Sequence, residues 1–120
     1  MKVLIPTNHK DMNGDISPSF GRATYFLIYD TETHQKMYVE NPGASSTGGA
    51  GVVAAQKVID SGAHVVITYR LGKNAYDIIS ESVIHIYKPK NEDIKNTLKS
   101  LSNNELNLLT EFHAGFHMHR

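Results

Sequence analysis

The chain predicts an α/β domain on a mixed five-stranded sheet of order 3-2-1-4-5, with strand 2 antiparallel and helices on both faces. Three observations predict it. Short apolar or aromatic runs and stretches of helical spacing follow one another as β-β-β-α-β-α-β-α. The connection Thr31-Glu32-Thr33-His34-Gln35 is too short for a crossover, so the strands it joins pair antiparallel. Two αβ units come next, and right-handed crossovers lay helices against the sheet.

Val3 to Ile5 is an apolar run closed by Pro6 and reads as a buried first strand. Residues 8 to 19 (NHKDMNGDISPS) lack apolar periodicity and contain Asn13-Gly14 and Ser17-Pro18, marking a long loop of the kind that often carries function. Tyr25 to Asp30 and Lys36 to Glu40 are aromatic and branched enough for the second and third strands. Asn41 to Gly51 is a run of small residues with four glycines. A first helix then begins near Gly49, with Ser46 or Thr47 as N-cap, Val52, Ala55 and Ile59 as its apolar stripe and Gly62 as its stop. His64 to Tyr69 is the fourth strand, and Gly72 to Ser82 a second helix burying Ala75, Ile78 and Ile79. Val83 to Tyr87 is the fifth strand, ending before Pro89. Asn91 to Leu101 carries Ile94, Leu98 and Leu101 at helical spacing. One domain spans 1–109, and a histidine-containing tail without a periodic apolar face spans 110–120.

This order sets the C-terminal ends of strands 1 and 4 side by side, with a crevice outside them. The 8–19 loop, the turn Tyr69-Arg70-Leu71-Gly72 and the glycine-rich loop are its expected rim.

Composition narrows the chemistry. Twelve Lys+Arg balance twelve Asp+Glu, so the chain lacks the cationic excess that broad nucleic-acid binding requires. There is no Cys, which excludes disulfides, thiolate zinc sites, a Cys nucleophile and a cluster anchored on the protein's own sulfur. No apolar run is long enough to cross a bilayer, and the N-terminus turns polar after Ile5. The expectation is a cytoplasmic protein, monomeric or weakly dimeric, that binds neither nucleic acid nor membrane.

Several residues invite a chemical reading. The segment Ser45 to Gly51, with Gly48 and Gly49, either cradles an anion on helix amides or simply makes a tight strand-to-helix connection. It lacks the Gly-Lys-Ser/Thr of a phosphate-binding Walker loop. Arg22 and Arg70, each near a glycine, suit an oxyanion or a sulfide-rich anion, or else a surface ion pair. Lys10 and Lys73 would add positive charge to the same crevice. His113, His117 and His119, spaced four and two apart, and His9 in the long loop are candidate metal ligands or solvated side chains. No Gly-x-Ser-x-Gly elbow occurs, and the first strand has no acid for a two-metal hydrolase.

The segments Ile16-Ser17-Pro18-Ser19-Phe20-Gly21-Arg22-Ala23, Glu40-Asn41-Pro42-Gly43-Ala44, Gly49-Ala50-Gly51 and Arg70-Leu71-Gly72-Lys73-Asn74-Ala75 occur in this order. From residue 2 to about residue 100 the chain resembles the dinitrogenase iron–molybdenum cofactor biosynthesis family. The resemblance implies a ribonuclease H-like sheet. It also implies a non-enzymatic carrier of the iron–molybdenum cofactor or another metal–sulfur cluster, exchanging it with donor and acceptor proteins. Its expected contacts are Ser19, Phe20, Gly21, Arg22, Gly48, Gly49, Arg70, Gly72 and Asn74. Many members carry His before Phe-Gly, where this chain has Ser19. The alternative is a regulatory or protein-interaction module of the same fold without metal.

Overall fold

The computed structural model describes residues 1–110 and Phe112. Its elements are β1 (Lys2–Thr7), β2 (Tyr25–Asp30), β3 (Lys36–Glu40), a single 3-10 turn (Pro42–Ser45), α1 (Ala50–Ser61), β4 (Val65–Ile67), α2 (Lys73–Ser80), β5 (His85–Lys88), α3 (Ile94–Ser102) and β6 (Asn107–Leu108). They form one mixed sheet of order β3-β2-β1-β4-β5-β6. β1 pairs antiparallel with β2 and parallel with β4, β5 is parallel to β4, and β3 and β6 run antiparallel to their neighbours.

The expected order of five strands is present, and a sixth strand corrects the count. β6 is only two residues long, too short to show alternation, and is held because the flanking Leu106 and Leu109 are buried. The Leu109 amide donates to Ile86 O at 2.8 Å.

Each face of the sheet has its own core. Leu4, Phe26, Val66 and Ile86 point to one side, where Ala54, Ala55 and Val58 of α1 and Ala75 and Ile79 of α2 cover them. Val3, Ile5, Leu27, Val65 and Ile67 point to the other, under Ile94 and Leu101 of α3. The alternation along β1 and β4 sends neighbouring residues to opposite layers, so every β1 position from Val3 to Thr7 is buried.

Four local expectations change. Pro6 does not close the first strand. The Thr31 amide donates to Met1 O, and ladder alternation then turns odd positions of β1 toward β2. Pro6 therefore lacks its N–H on the side away from β2, while its carbonyl accepts from Ser17 N at 2.8 Å. The N-cap of α1 is Gly49, at φ 65°, with no side-chain cap. Ser46 instead closes the 3-10 turn, donating its amide to Gly43 O at 3.2 Å. The buried face of α1 is Ala54, Ala55 and Val58, while Val52 is exposed. Small residues win that face because α1 packs closely on α2, where a Cβ at Gly51 would lie 3.6 Å from Ala75 Cβ. Ile78 of α2 is half-buried rather than buried. The expected tail lies outside the described residues apart from Thr110 and Phe112. Among the described residues no helix is long and apolar enough to cross a membrane.

Candidate functional site

The long loop after β1 is built, residue by residue, into the sheet and α3. Thr7 Oγ1 lies within reach of the carbonyls of His9 and Asp15 (3.2 and 3.0 Å), between which its one proton is shared. Ile16 pairs back on Thr7 in an antiparallel bridge. The carbonyls of Gly14 and Met12 accept from the amides of Ile94 and Lys95 at 3.0 and 2.9 Å. Those amides belong to the first turn of α3 and have no partner within the helix. Asp93 caps the same turn, accepting from Asn96 N at 2.8 Å. Loop and helix start thus complete each other.

Beneath this loop two tyrosines are pushed toward higher pKa. Tyr69 is raised by burial and then by the charge of Asp15, and Tyr38 by burial and then by Asp11. The Tyr69 hydroxyl donates to Asn91 Oδ1 at 3.3 Å, whereas the buried Tyr38 hydroxyl has no partner among the described residues.

The segment from Ser17 to Ala23 forms a tight rim at the C-terminal end of β1. Ser17 Oγ donates to Ser19 O at 3.1 Å, Ser19 Oγ accepts from Arg22 N at 3.2 Å, and the Ala23 amide donates to Ser19 O at 3.0 Å. Phe20 turns inward and stacks on Phe26 with ring centroids 5.4 Å apart. Asn41 fixes the rim from behind. Its buried Nδ2 lies within reach of the carbonyls of Phe20, Gly21 and Ala23 (3.1, 3.3 and 2.9 Å), and its Oδ1 accepts from Gly43 N at 3.0 Å. Gly43 must be glycine, because a Cβ there would sit 2.5 Å from Gly21 O and 2.6 Å from Ala50 O.

In front of the rim is a recess of about 210 Å³ lined by Pro18, Ser19, Phe20, Gly21, Gly51, Arg70, Gly72 and Ala75. α1 and α2 both begin here. Gly49 and Gly72 cap them without any side-chain hydrogen bond, so their first-turn amides meet no capping side chain. Unpartnered amides and the positive ends of two helix dipoles favour an anion, and the exposed Arg70 adds a full charge. The arrangement can hold an anion by charge and amide contacts.

Of the residues singled out in the sequence, Ser19, Phe20, Gly21, Arg70 and Gly72 come together around this recess. Gly48, Gly49 and Asn74 are exposed nearby in the chain and do not line it. Arg22 Nη1 donates to Ser46 O at 2.6 Å and Gly43 O at 3.3 Å, so its guanidinium straps the glycine-rich loop to the rim. Lys10 sits over the Tyr25 ring, 5.1 Å from its centroid, and Lys73 pairs with Asp77 at 2.7 Å. His9 is exposed in the 8–16 loop, and among the described residues no three His, Cys, Asp or Glu side chains gather to hold a metal ion. His113, His117 and His119 lie outside the described residues. Asn41 is a structural residue of the site absent from the expected contacts, and its place between a strand and Pro-Gly is the local signal of a side chain serving its neighbours' backbone.

Fold and recess together describe a small α/β protein with an anion-suited recess at the C-terminal end of its central strand. The chain belongs to the family described as dinitrogenase iron-molybdenum cofactor, whose model matches residues 1–104. Among solved structures it is similar to the apo form of the orange protein from Desulfovibrio gigas, at 23% identity and TM-score 0.84 over 91% of this chain and 92% of that one. A Thermotoga protein described as NifB, of the DUF35 family, is 30% identical over 96% and 98% of the two chains, with TM-score 0.80. A Methanocaldococcus jannaschii protein described as a dinitrogenase is 20% identical over 92% and 96%, with TM-score 0.70. No curated protein matches the chain.

Proposed function

We propose that the chain is a non-enzymatic carrier that holds a preformed iron–molybdenum cofactor, or another metal–sulfur cluster, at the Ser19–Arg70 recess. One observation carries this reading: two helix starts without side-chain caps and the Arg70 charge meet the Phe20-Gly21 rim in a chain with no thiol. A cluster that brings its own sulfides needs charge and N–H donors rather than thiolates. A recess of about 210 Å³ is smaller than ordinary ligand pockets, so it grips one face of such a cargo and leaves the rest accessible to a donor or acceptor protein. The strand order supports a ribonuclease H-like descent, and a first strand of Lys-Val-Leu-Ile-Pro-Thr without a carboxylate suits a holder better than a hydrolase.

Anaerobic titration with isolated iron–molybdenum cofactor, read by visible absorption and spin resonance, tests the reading. A saturable change at micromolar protein is expected. Arg70→Ala should weaken it about tenfold, the loss of one charge-assisted contact, and Ser19→His should strengthen it by adding an imidazole ligand at the rim. A flat titration overturns it. The second reading, a regulatory or protein-interaction module without metal, is favoured by Ser19 standing where many members carry His and by the neutral overall charge. Protein purified anaerobically from its native source, free of metal yet bound to a partner, would establish it.

A further inference from the structure

β3 is the outermost strand at one edge of the sheet and, among the described residues, pairs with β2 alone. Two hydrogen bonds fix the parity of that ladder: Asn41 N donates to Thr24 O at 3.1 Å, and Asp30 N to Gln35 O at 2.9 Å. Antiparallel ladders alternate, so Met37 and Val39 turn their N–H and C=O toward β2, while Lys36, Tyr38 and Glu40 turn theirs outward. The strand contains no Pro, and its two charges, Lys36 and Glu40, are of opposite sign at its two ends.

Lys36-Met37-Tyr38-Val39-Glu40 is also its own complement. Turned antiparallel about Tyr38, it sets Lys36 opposite Glu40 of a second copy, Met37 opposite Val39, and Tyr38 opposite Tyr38. The backbone parity agrees with this register, because the three outward-facing residues meet one another as hydrogen-bonded pairs. A one-residue slip would oppose outward to inward groups, and a two-residue slip would lose the charge pairs. Met37 is 57% exposed and, with Ile28 and Lys36, lines a cleft of about 530 Å³ on the neighbouring sheet face. The second copy's Val39 would close over it.

We infer that a second copy of the chain docks on β3, extending the sheet across a two-fold axis at Tyr38. A five-residue strand covers less than the roughly 1,200 Å² of a stable interface, so the dimer is weak and forms only at high protein concentration. β3 runs parallel to β1, which puts Glu40 at the recess end of the sheet. The two recesses of the dimer therefore face opposite ways and stay open. The inference does not depend on what the recess holds.

Sedimentation of the full chain from low micromolar to millimolar concentration tests it, with circular dichroism confirming the fold of each variant. The mass should rise toward that of two copies. Lys36→Glu and Glu40→Lys should each weaken association about tenfold, since each reversal sets like charges together at both ends of the pair. The double variant Lys36→Glu/Glu40→Lys should restore it. Amide exchange at Lys36, Tyr38 and Glu40 should slow with concentration, while Met37 and Val39 stay unchanged. A chain monomeric at millimolar concentration, association indifferent to the single reversals, or a double variant that fails to recover would each overturn the register. Removing residues 113–120 should leave the dimer unchanged. A dimer that appears only after that removal would mean the tail occupies the edge, which overturns the inference too.

Discussion

Asn41 concentrates the local chemistry of the rim in one amide. Its NH₂ serves the carbonyls of Phe20, Gly21 and Ala23 while its oxygen takes the Gly43 amide. Asn41→Ala should cost about 3 kcal/mol in chemical denaturation, because buried backbone groups lose their partners. Asn41→Asp should cost more, since it sets a carboxylate oxygen against carbonyls. The two arginines separate by what they touch. Arg22 contacts protein carbonyls, so Arg22→Ala should lower stability by about 1 kcal/mol, whereas Arg70→Ala should leave the melting curve alone. From sequence the two looked equivalent, because a guanidinium near glycine gives no clue to whether a chain carbonyl or a ligand lies within its reach. Asn41 is half legible: the Asn-Pro-Gly pattern announces its bond to Gly43, but its three carbonyl partners lie about twenty positions away, beyond any local pattern.

Elements were legible where their patterns are local. The 31–35 connection gave the β2–β3 hairpin, and Ile94, Leu98 and Leu101 gave α3. The 3-10 turn at Pro42–Ser45 and the Gly49 cap were missed because Ser46 and Thr47 offer the usual capping chemistry, while a contact distant in sequence, Gly43 against Gly21, decides the backbone path. β6 was missed because two residues have no period. The α3 start is a test of the interlock with the loop. Asp93→Ala should cost about 1 kcal/mol as a lost N-cap. Hydrogen exchange at Ile94 and Lys95 should quicken with it, since both amides reach across to Gly14 and Met12.

For the whole molecule, pH acts at both extremes. Asp30 is held below its usual 3.8 by the amides of Glu32 and then Thr33. A depressed carboxyl contributes stability above that value and loses it as acid protonates it in the folded chain, so unfolding should steepen below pH 3.8. Tyr38 and Tyr69 are raised above 10.0. Burial that raises a phenol penalises its anion in the folded chain, so the cost is absent below pH 10.0 and stability falls as pH climbs from there through the folded value. Tyr38→Phe, which removes a hydroxyl with no described partner, should raise stability by up to about 1 kcal/mol and flatten the alkaline limb of a stability–pH curve. The strand order, and with it the end of the sheet where the recess lies, could be read from connection lengths; the depth of the recess could not, because it depends on how closely α1 approaches α2. The hydrogen bonds of the amide behind the rim run to its own chain. The mouth is therefore shaped by the chain alone, and for the carrier proposed above, handing a guest to a tighter host would be an exchange governed by two dissociation constants, as between resin and eluent, with no refolding to wait for.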